Sequence, residues 1–312
     1  MSTIRVTLFG PFRVQSGEAN LTGQFSYKAQ ELLCYLLLHR DHPHQRETLA
    51  SILWGDENTT AQSRKTLRQT LWQLQTTLNS SIESGHGLVL RVEGDLIELN
   101  LGEAVWLDTA VFEQAFAAVQ GVPGPEMSAS DAQALHRAVE LYRADLLEGW
   151  YQDWCLYERE RFQNMYLMLL DKLMGYCEAR YNYEDGLIYG MRILRYDGAR
   201  ERTHRRLMRL YCLAGDRSAA LRQFQRCAAA LEDELGVTPS RRTMMLYEQI
   251  REDQLTPMLP ASPAPTTIPG SAAASLSEVL SSLRQIEAAL TDLQRQVQRE
   301  SEAVTAPLKG QR

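Results

Sequence analysis

The sequence predicts a mainly α-helical chain with a small α+β region at its N-terminus. Three observations predict it. Strand-like alternation is confined to residues 3–14 and to a hairpin between residues 88 and 99. From Trp106 to residue 252, apolar residues recur almost wholly at spacings of three and four. Within that stretch Leu173, Cys177, Gly186 and Ile193 return as Leu207, Tyr211, Ala220 and Cys227, an offset of about 34 residues, the period of a tetratricopeptide (TPR) helix pair.

The N-terminal elements follow in order. Residues 3–14 form two short strands broken at Gly10-Pro11. Phe25 to Leu38 is a helix that buries Ala29, Leu32, Leu33, Tyr35 and Leu36, and Pro43 closes the following loop. Arg46 to Trp54 is a short second helix with Leu49, Ile52 and Leu53 inward. Thr60 to Leu78 is a third, with Leu67, Leu71, Leu74 and Leu78 as its buried stripe. Leu88–Val92 and Leu96–Leu99 then flank a Glu93-Gly94-Asp95 turn. Strands, three helices and a closing hairpin are the plan of a winged helix-turn-helix.

The second half is helical. Asp108 is placed to cap a helix running through Val119. A loop rich in Gly, Pro and Ser spans 121–130, and helices follow at 131–146, 153–180, 184–195, 199–214, 217–235 and 239–252. Gly215 suits the left-handed position after one helix and Asp216 the cap of the next. Thr238-Pro239 suits a helix start. The cluster Trp150, Tyr151, Trp154 and Tyr157 is expected to pack between helices. Five prolines mark 255–275 as a disordered linker. Beyond it Leu276, Val279, Leu283, Ile286, Leu290, Leu293 and Val297 follow an a/d heptad pattern, which predicts a coiled-coil helix that self-associates. The expected division is a winged helix over 1–104, a TPR-like helical domain over 105–254, the linker 255–275, a coiled-coil helix 276–304 and a disordered tail 305–312.

Bulk composition narrows the functions. A net charge of −6 excludes a generic polycation, so any nucleic-acid contact must come from a local patch. The five cysteines are dispersed through apolar helical patterns without CxxC spacing, as expected of reduced core thiols in a cytoplasmic protein. The longest apolar run, Leu32 to Leu38, is too short to span a bilayer, and the N-terminus lacks a signal-peptide layout, so no membrane is expected among its partners. There is no glycine-rich phosphate loop, no nucleophile elbow and no carboxylate pair in a buried context. His39, His42 and His44 share a loop with no evident fourth ligand. The chain is therefore expected to be no enzyme and to hold neither cofactor nor metal.

The third helix is the functional candidate. Its solvent face carries Arg64, Lys65, Arg68, Gln69, Trp72 and Gln73, and residues 60–79 contain no acid. Arginine and lysine grip phosphates or guanine edges, and glutamine pairs bidentately with adenine. Such a helix lies in the major groove with its leucine stripe against the domain core. Arg64 is in line with that stripe, which gives it a second possible role in the fold. Arg91 in the hairpin is placed to touch phosphate or minor groove, or is simply an exposed strand residue.

Residues from 105 to 252 resemble the bacterial transcriptional activator domain of regulators related to the Streptomyces antibiotic regulatory proteins. The resemblance is carried by Trp106-Leu107-Asp108 with Phe112-Glu113, by Leu141-Tyr142-Arg143 with Asp145-Leu146-Leu147, and by Trp154 with Glu158-Arg159-Glu160-Arg161. Ala214-Gly215-Asp216 with Ala219-Ala220-Leu221, and Glu234-Leu235-Gly236-Val237 with Pro239-Ser240, also match. The N-terminal region is similar to the OmpR-type winged helix that such regulators carry, through Leu53-Trp54, Arg64 and the leucine stripe. The resemblance implies that the third helix reads the major groove of double-stranded DNA and the hairpin is the wing. It also implies that the helical domain contacts RNA polymerase or another transcription protein. Gln73, Gln75 and Thr76 stand where the family often has basic residues, which implies fewer phosphate contacts. Two functions follow as expectations: a sequence-specific transcriptional regulator, an activator acting as a homo-oligomer, or a TPR-like interaction scaffold whose winged helix no longer reads DNA specifically.

Overall fold

The computed structural model describes residues 4–55, 59–81 and 88–254. The linker, coiled-coil and tail expected over 255–312 lie outside the described residues. The described residues form one compact unit, with a core that runs continuously from Ile4 to Leu210.

Strands β1 (Ile4–Thr7), β2 (Arg13–Ser16) and β3 (Ala19–Asn20) make an antiparallel meander in which Ile4, Val6 and Val14 point into the core. Helix α1 (Tyr27–Leu38) starts two residues after the expected Phe25, because the Ser26 hydroxyl accepts from the Ala29 N–H and fixes the cap there. The two-residue strand β4 (His44–Gln45) leads into α2 (Arg46–Trp54). Ile52 was expected inward but is 41% exposed. The inward row is Leu49, Ala50, Leu53 and Trp54, and it is fixed by Trp54, whose indole N–H donates to the buried Glu31 carboxylate at 2.8 Å. Helix α3 (Thr60–Ser81) precedes the hairpin of β5 (Leu88–Glu93) and β6 (Leu96–Leu101), which β4 extends to a three-stranded sheet.

The chain then returns to its beginning. Strand β7 (Val105–Leu107) pairs parallel with β1 and completes a four-stranded sheet in the order β3-β2-β1-β7. Helix α4 (Asp108–Ala118) follows directly. Asp108 occupies its first helical position rather than the cap, which is Leu107. The carboxylate accepts from Thr109 N–H at 2.7 Å and also from Leu8 and Phe9 N–H at 2.8 and 2.9 Å, tying the end of β1 to α4. Burial pushes this carboxyl up to about 6, against the pull of those N–H groups.

Helix α5 (Ala129–Leu141), opened by a Ser128/Asp131 capping box, ends five residues before the expected 146. Leu146 and Leu147 are fully buried, but on a non-helical segment. That segment docks on the first sheet through Gly10 N–H to Asp145 O, Leu147 N–H to Leu8 O and Glu148 N–H to Gly10 O, at 2.8–3.0 Å. The Arg159 guanidinium donates to the carbonyls of Leu146, Leu147 and Trp150 and holds the segment from the other side. Of the expected aromatic cluster, Trp150 and Trp154 are packed 6.3 Å apart, whereas Tyr151 and Tyr157 are 78% and 73% exposed.

Helices α6 (Asp153–Ala179), α7 (Tyr183–Leu194), α8 (Glu201–Leu213), α9 (Arg217–Leu235) and α10 (Arg241–Arg251) stack as successive antiparallel neighbours. Gly190 lets α7 press on α8, since a Cβ there would lie 2.5 Å from Leu207 Cδ2. Gly215 takes φ +84° and Asp216 accepts from Ala219 N–H at 2.8 Å, so the α8–α9 turn forms as its sequence indicates. Helix α10 starts at Arg241, not at Thr238-Pro239. Its cap residue Ser240 donates from both N–H and Oγ to Glu201, a tertiary contact that the local sequence does not contain.

Candidate nucleic-acid interface

Helix α3 divides into two faces. Leu67, Leu71, Leu74 and Leu78 are buried, and Ser63 donates to Trp54 O at 3.0 Å, which pins the start of α3 to the end of α2. All six residues predicted on the other face, Arg64, Lys65, Arg68, Gln69, Trp72 and Gln73, are exposed. Their surroundings differ. Arg64 forms an ion pair with Glu47 of α2, and Gln73 Oε1 accepts from Ser26 Oγ at the start of α1 at 3.1 Å. These two lie at the margins of the exposed arc. Lys65, Arg68, Gln69 and Trp72 occupy its middle, and among the described residues no acid lies within ion-pair distance of Lys65 or Arg68. Trp72, at 68% exposed, holds a large apolar ring in water beside two cations. A lone exposed leucine is unremarkable, whereas tryptophan and arginine are the side chains enriched at contact surfaces.

The hairpin is positioned by backbone contacts. Arg46 N–H donates to Asp95 O at 2.9 Å, holding the hairpin tip against the start of α2. A groove of about 580 Å³ runs between α2, α3 and the tip, and its lining holds the bases Arg46, Arg64 and Arg68 and the acids Glu47 and Asp95. Sequence reasoning did not single out Arg46. Its only local signal was a place at the start of a helix, and the hairpin tip brings it beside Arg64 and Arg68. Arg91 is exposed on β5 and stands opposite Glu98 in the hairpin register, away from the groove lining. The structure therefore gathers the α3 residues on one surface and leaves Arg91 on a separate one with an acidic neighbour.

Ion pairs join the end of α1 to the helical half. Arg40, just past α1, pairs with Glu113 of α4 at 2.5 Å, and Glu113 in turn pairs with Arg161 of α6 at 2.8 Å. Arg161 also holds Glu158 at 2.7 Å, and His39 lies 3.8 Å from that same carboxylate. Burial lowers His39 and His44 below the ordinary histidine value, and His44 Nε2–H donates to His39 O at 2.8 Å. Among the described residues no group of three or more His, Cys, Asp or Glu is arranged to hold a metal ion. No helix of the described residues is long and apolar enough to cross a membrane.

A winged helix with a basic face on α3 is thus joined through a shared sheet to a TPR-like stack. Residues 107–251, just under half of the chain, match the family described as bacterial transcriptional activator domain, the domain its sequence resembles. A search of solved structures places it beside Mycobacterium tuberculosis EmbR in complex with a low affinity phosphopeptide, at TM-score 0.67 and 18% identity. That alignment covers 81% of this chain and 66% of the other, so the chain spans just under two thirds of that protein's length. Comparison with curated proteins found no match. The likeness to EmbR carries the fold alone, a winged helix followed by a helical domain.

Proposed function

We propose that the chain is a sequence-specific DNA-binding transcriptional regulator, an activator, that reads the major groove with helix 60–79. The single observation behind this is the exposed arc of α3, where Lys65, Arg68, Gln69 and Trp72 face solvent with no acid among them. Lys65 and Arg68 supply phosphate or guanine contacts and Gln69 an adenine contact, while the Trp72 ring meets a thymine methyl or sugar. Arg64 contributes from the margin, where its pairing with Glu47 also braces α3 on α2. Gln73 hydrogen-bonds Ser26 and orients the start of α1. Arg91 is a backbone contact of the wing. The helical domain engages RNA polymerase or another transcription protein, and residues 276–304 bring copies of the chain together on repeated half-sites.

Selection of genomic DNA fragments on the purified full chain tests this. The expected result is enrichment of one motif, lost in Lys65→Ala/Arg68→Ala with an unchanged circular dichroism spectrum. Each good bidentate base contact discriminates by about 1–3 kcal/mol, so losing two cations at the centre of the arc removes most of the preference. Binding that is salt-sensitive but blind to sequence in the unmodified chain defeats the proposal in favour of the scaffold reading.

A further inference from the structure

We propose that the groove between α6, α8 and α10 is a docking site for an acidic, extended segment of a partner protein. The inference deepens the reading of the helical domain as the partner-contacting part of a regulator. Two adjoining cavities of about 560 and 760 Å³ share Glu178, Arg202 and Arg206 and form one continuous groove. Arg202, Arg205, Arg206 and Arg209, successive on one face of α8, line it with Arg242 of α10 and Lys172 of α6. The acids on its walls are Asp171 and Glu178, and Arg206 engages both, at 2.8 and 3.3 Å. The groove is thus a concentrated positive surface on a chain whose net charge is −6.

The arginines differ in how they are held, and that difference defines a binding site. Arg206 is fixed by Asp171 and Glu178, and Arg205 by Thr243 at 3.0 Å and Glu201 at 3.5 Å. Arg209 and Arg242 are exposed, and among the described residues neither has an acid within ion-pair distance. Fixed guanidinium groups frame the groove, and free ones are left to fork a carboxylate bidentately. Met168 and Ala179 of α6 and Met245 of α10 add apolar surface for methylene stems. These cations line the walls of a groove rather than a raised face. That suits a single extended polypeptide and not the phosphate-lined cylinder of a duplex.

The test is anisotropy titration of the full chain with a labelled oligoglutamate peptide at about 0.15 M ionic strength, with oligoglutamine of equal length as the uncharged probe. Oligoglutamate is expected to bind and oligoglutamine not. Arg209→Glu/Arg242→Glu is expected to weaken oligoglutamate binding by about tenfold or more. Reversal of the exposed Arg222 and Arg226 on α9, outside the groove, is expected to leave it unchanged. Absence of oligoglutamate binding, or equal loss in both pairs of variants, overturns the proposal. So does displacement of the peptide by random-sequence duplex when Lys65 and Arg68 are already alanine, which would make the groove a phosphate surface. Transcription from a template carrying the selected motif separates this proposal from the reading on which it rests. Loss of activation with DNA binding kept in Arg209→Glu/Arg242→Glu supports the groove. Full activation in that variant, together with no oligoglutamate binding by the unmodified chain, rejects the groove and leaves the regulator standing. A wild-type chain that selects no motif rejects the regulator, while peptide binding at the groove still supports the docking site.

Discussion

Replacing Arg159 with alanine should unfasten the segment that joins the two halves of the molecule. Its guanidinium donates to Leu146 O at 3.0 Å and to Leu147 O and Trp150 O at 2.9 Å each. A hydrogen bond from a charged donor is worth about 1.5–3 kcal/mol when its partner stays buried. Three at the low end give about 4.5 kcal/mol, and Arg159 is only half-buried, so water re-engages part of what is lost. The expected loss is about 3 kcal/mol, a large fraction of the 5–15 kcal/mol that ordinarily separates folded from unfolded chains. Arg159→Lys keeps the charge but not the planar fork, so about 2 kcal/mol should be lost. Urea unfolding followed by tryptophan fluorescence measures this directly, since Trp150 ends the segment and Trp154 packs beside it. Fluorescence and circular dichroism transitions should coincide, because the segment holds β1 on one side and α6 on the other. A loss below about 1 kcal/mol in Arg159→Ala, at unchanged urea dependence, would show that the three carbonyls are satisfied without the guanidinium and that the fastening lies elsewhere.

Other outcomes are equally open to measurement. Gly190→Ala places a Cβ 2.5 Å from Leu207 Cδ2 and 2.9 Å from its Cγ, so overpacking should cost about 1–3 kcal/mol in a thermal melt, and a neutral result would mean that α7 and α8 slide apart freely. His204 is buried and neutral: its Nε2–H donates to Gly198 O at 2.8 Å and its Nδ1 accepts from Gln223 at 2.7 Å, and burial lowers its pKa. With His39 and His44 lowered in the same way, the unfolded chain binds more protons than the folded one below the ordinary histidine value of about 6.5. The histidine contribution to stability is therefore complete above that pH and is lost as pH falls through it. His204→Gln should flatten the dependence of the urea midpoint on pH, and an unchanged slope would count against a neutral ring. Asp108, pushed up to about 6, acts in the opposite direction, since the folded chain takes up its proton first; Asp108→Asn should therefore steepen the loss on acidification. Deleting 276–304 should lower the mass found by light scattering, and an unchanged mass would assign self-association to another part of the chain.

What was legible in the sequence was whatever local periodicity decides. Helix α2 begins at Arg46 and ends at Trp54 as expected, because its leucines and flanking residues belong to one short segment. The leucine stripe of α3 and the exposure of its polar face follow from helical geometry alone. The end of α5 was not legible. Leu141, Leu146 and Leu147 keep an apolar spacing compatible with helix, and what breaks the helix is hydrogen bonding to Leu8 and Gly10 and to Arg159, all remote in sequence. Ile52 and Trp54 lie on opposite flanks of Leu49 and Leu53, about 200° apart around α2, and a contact with Glu31 on another helix decides which flank turns inward. The site shows the same division. Its six α3 residues could be listed from sequence, but the pairing of Arg64 with Glu47, the bond from Ser26 to Gln73 and the approach of Arg46 arise only when elements meet.

The sharing of one sheet by the two halves bears on how the proposed regulator would act. A domain tethered by a flexible linker raises only the local concentration of what it carries, because its orientation is free. Here β7 closes the N-terminal sheet and leads directly into α4, and Asp108 bonds back to Leu8 and Phe9. The 145–148 segment bonds to Leu8 and Gly10, Tyr35 of α1 packs 5.5 Å from Trp154 of α6, and Arg40, Glu113 and Arg161 form a charged chain beside them. Bending between α3 and the α6–α8–α10 groove would break backbone bonds and open a continuous core, a change of several kcal/mol. In the proposed reading, a partner held in the groove is therefore held at a defined orientation to the DNA on α3. The consequence is a spacing rule: moving the bound motif by half a helical turn relative to the partner's own site should abolish activation, and moving it by a whole turn should restore part of it. A regulator with loosely linked halves would tolerate both shifts, and the two shifts compared on one template distinguish the rigid chain from the loose one.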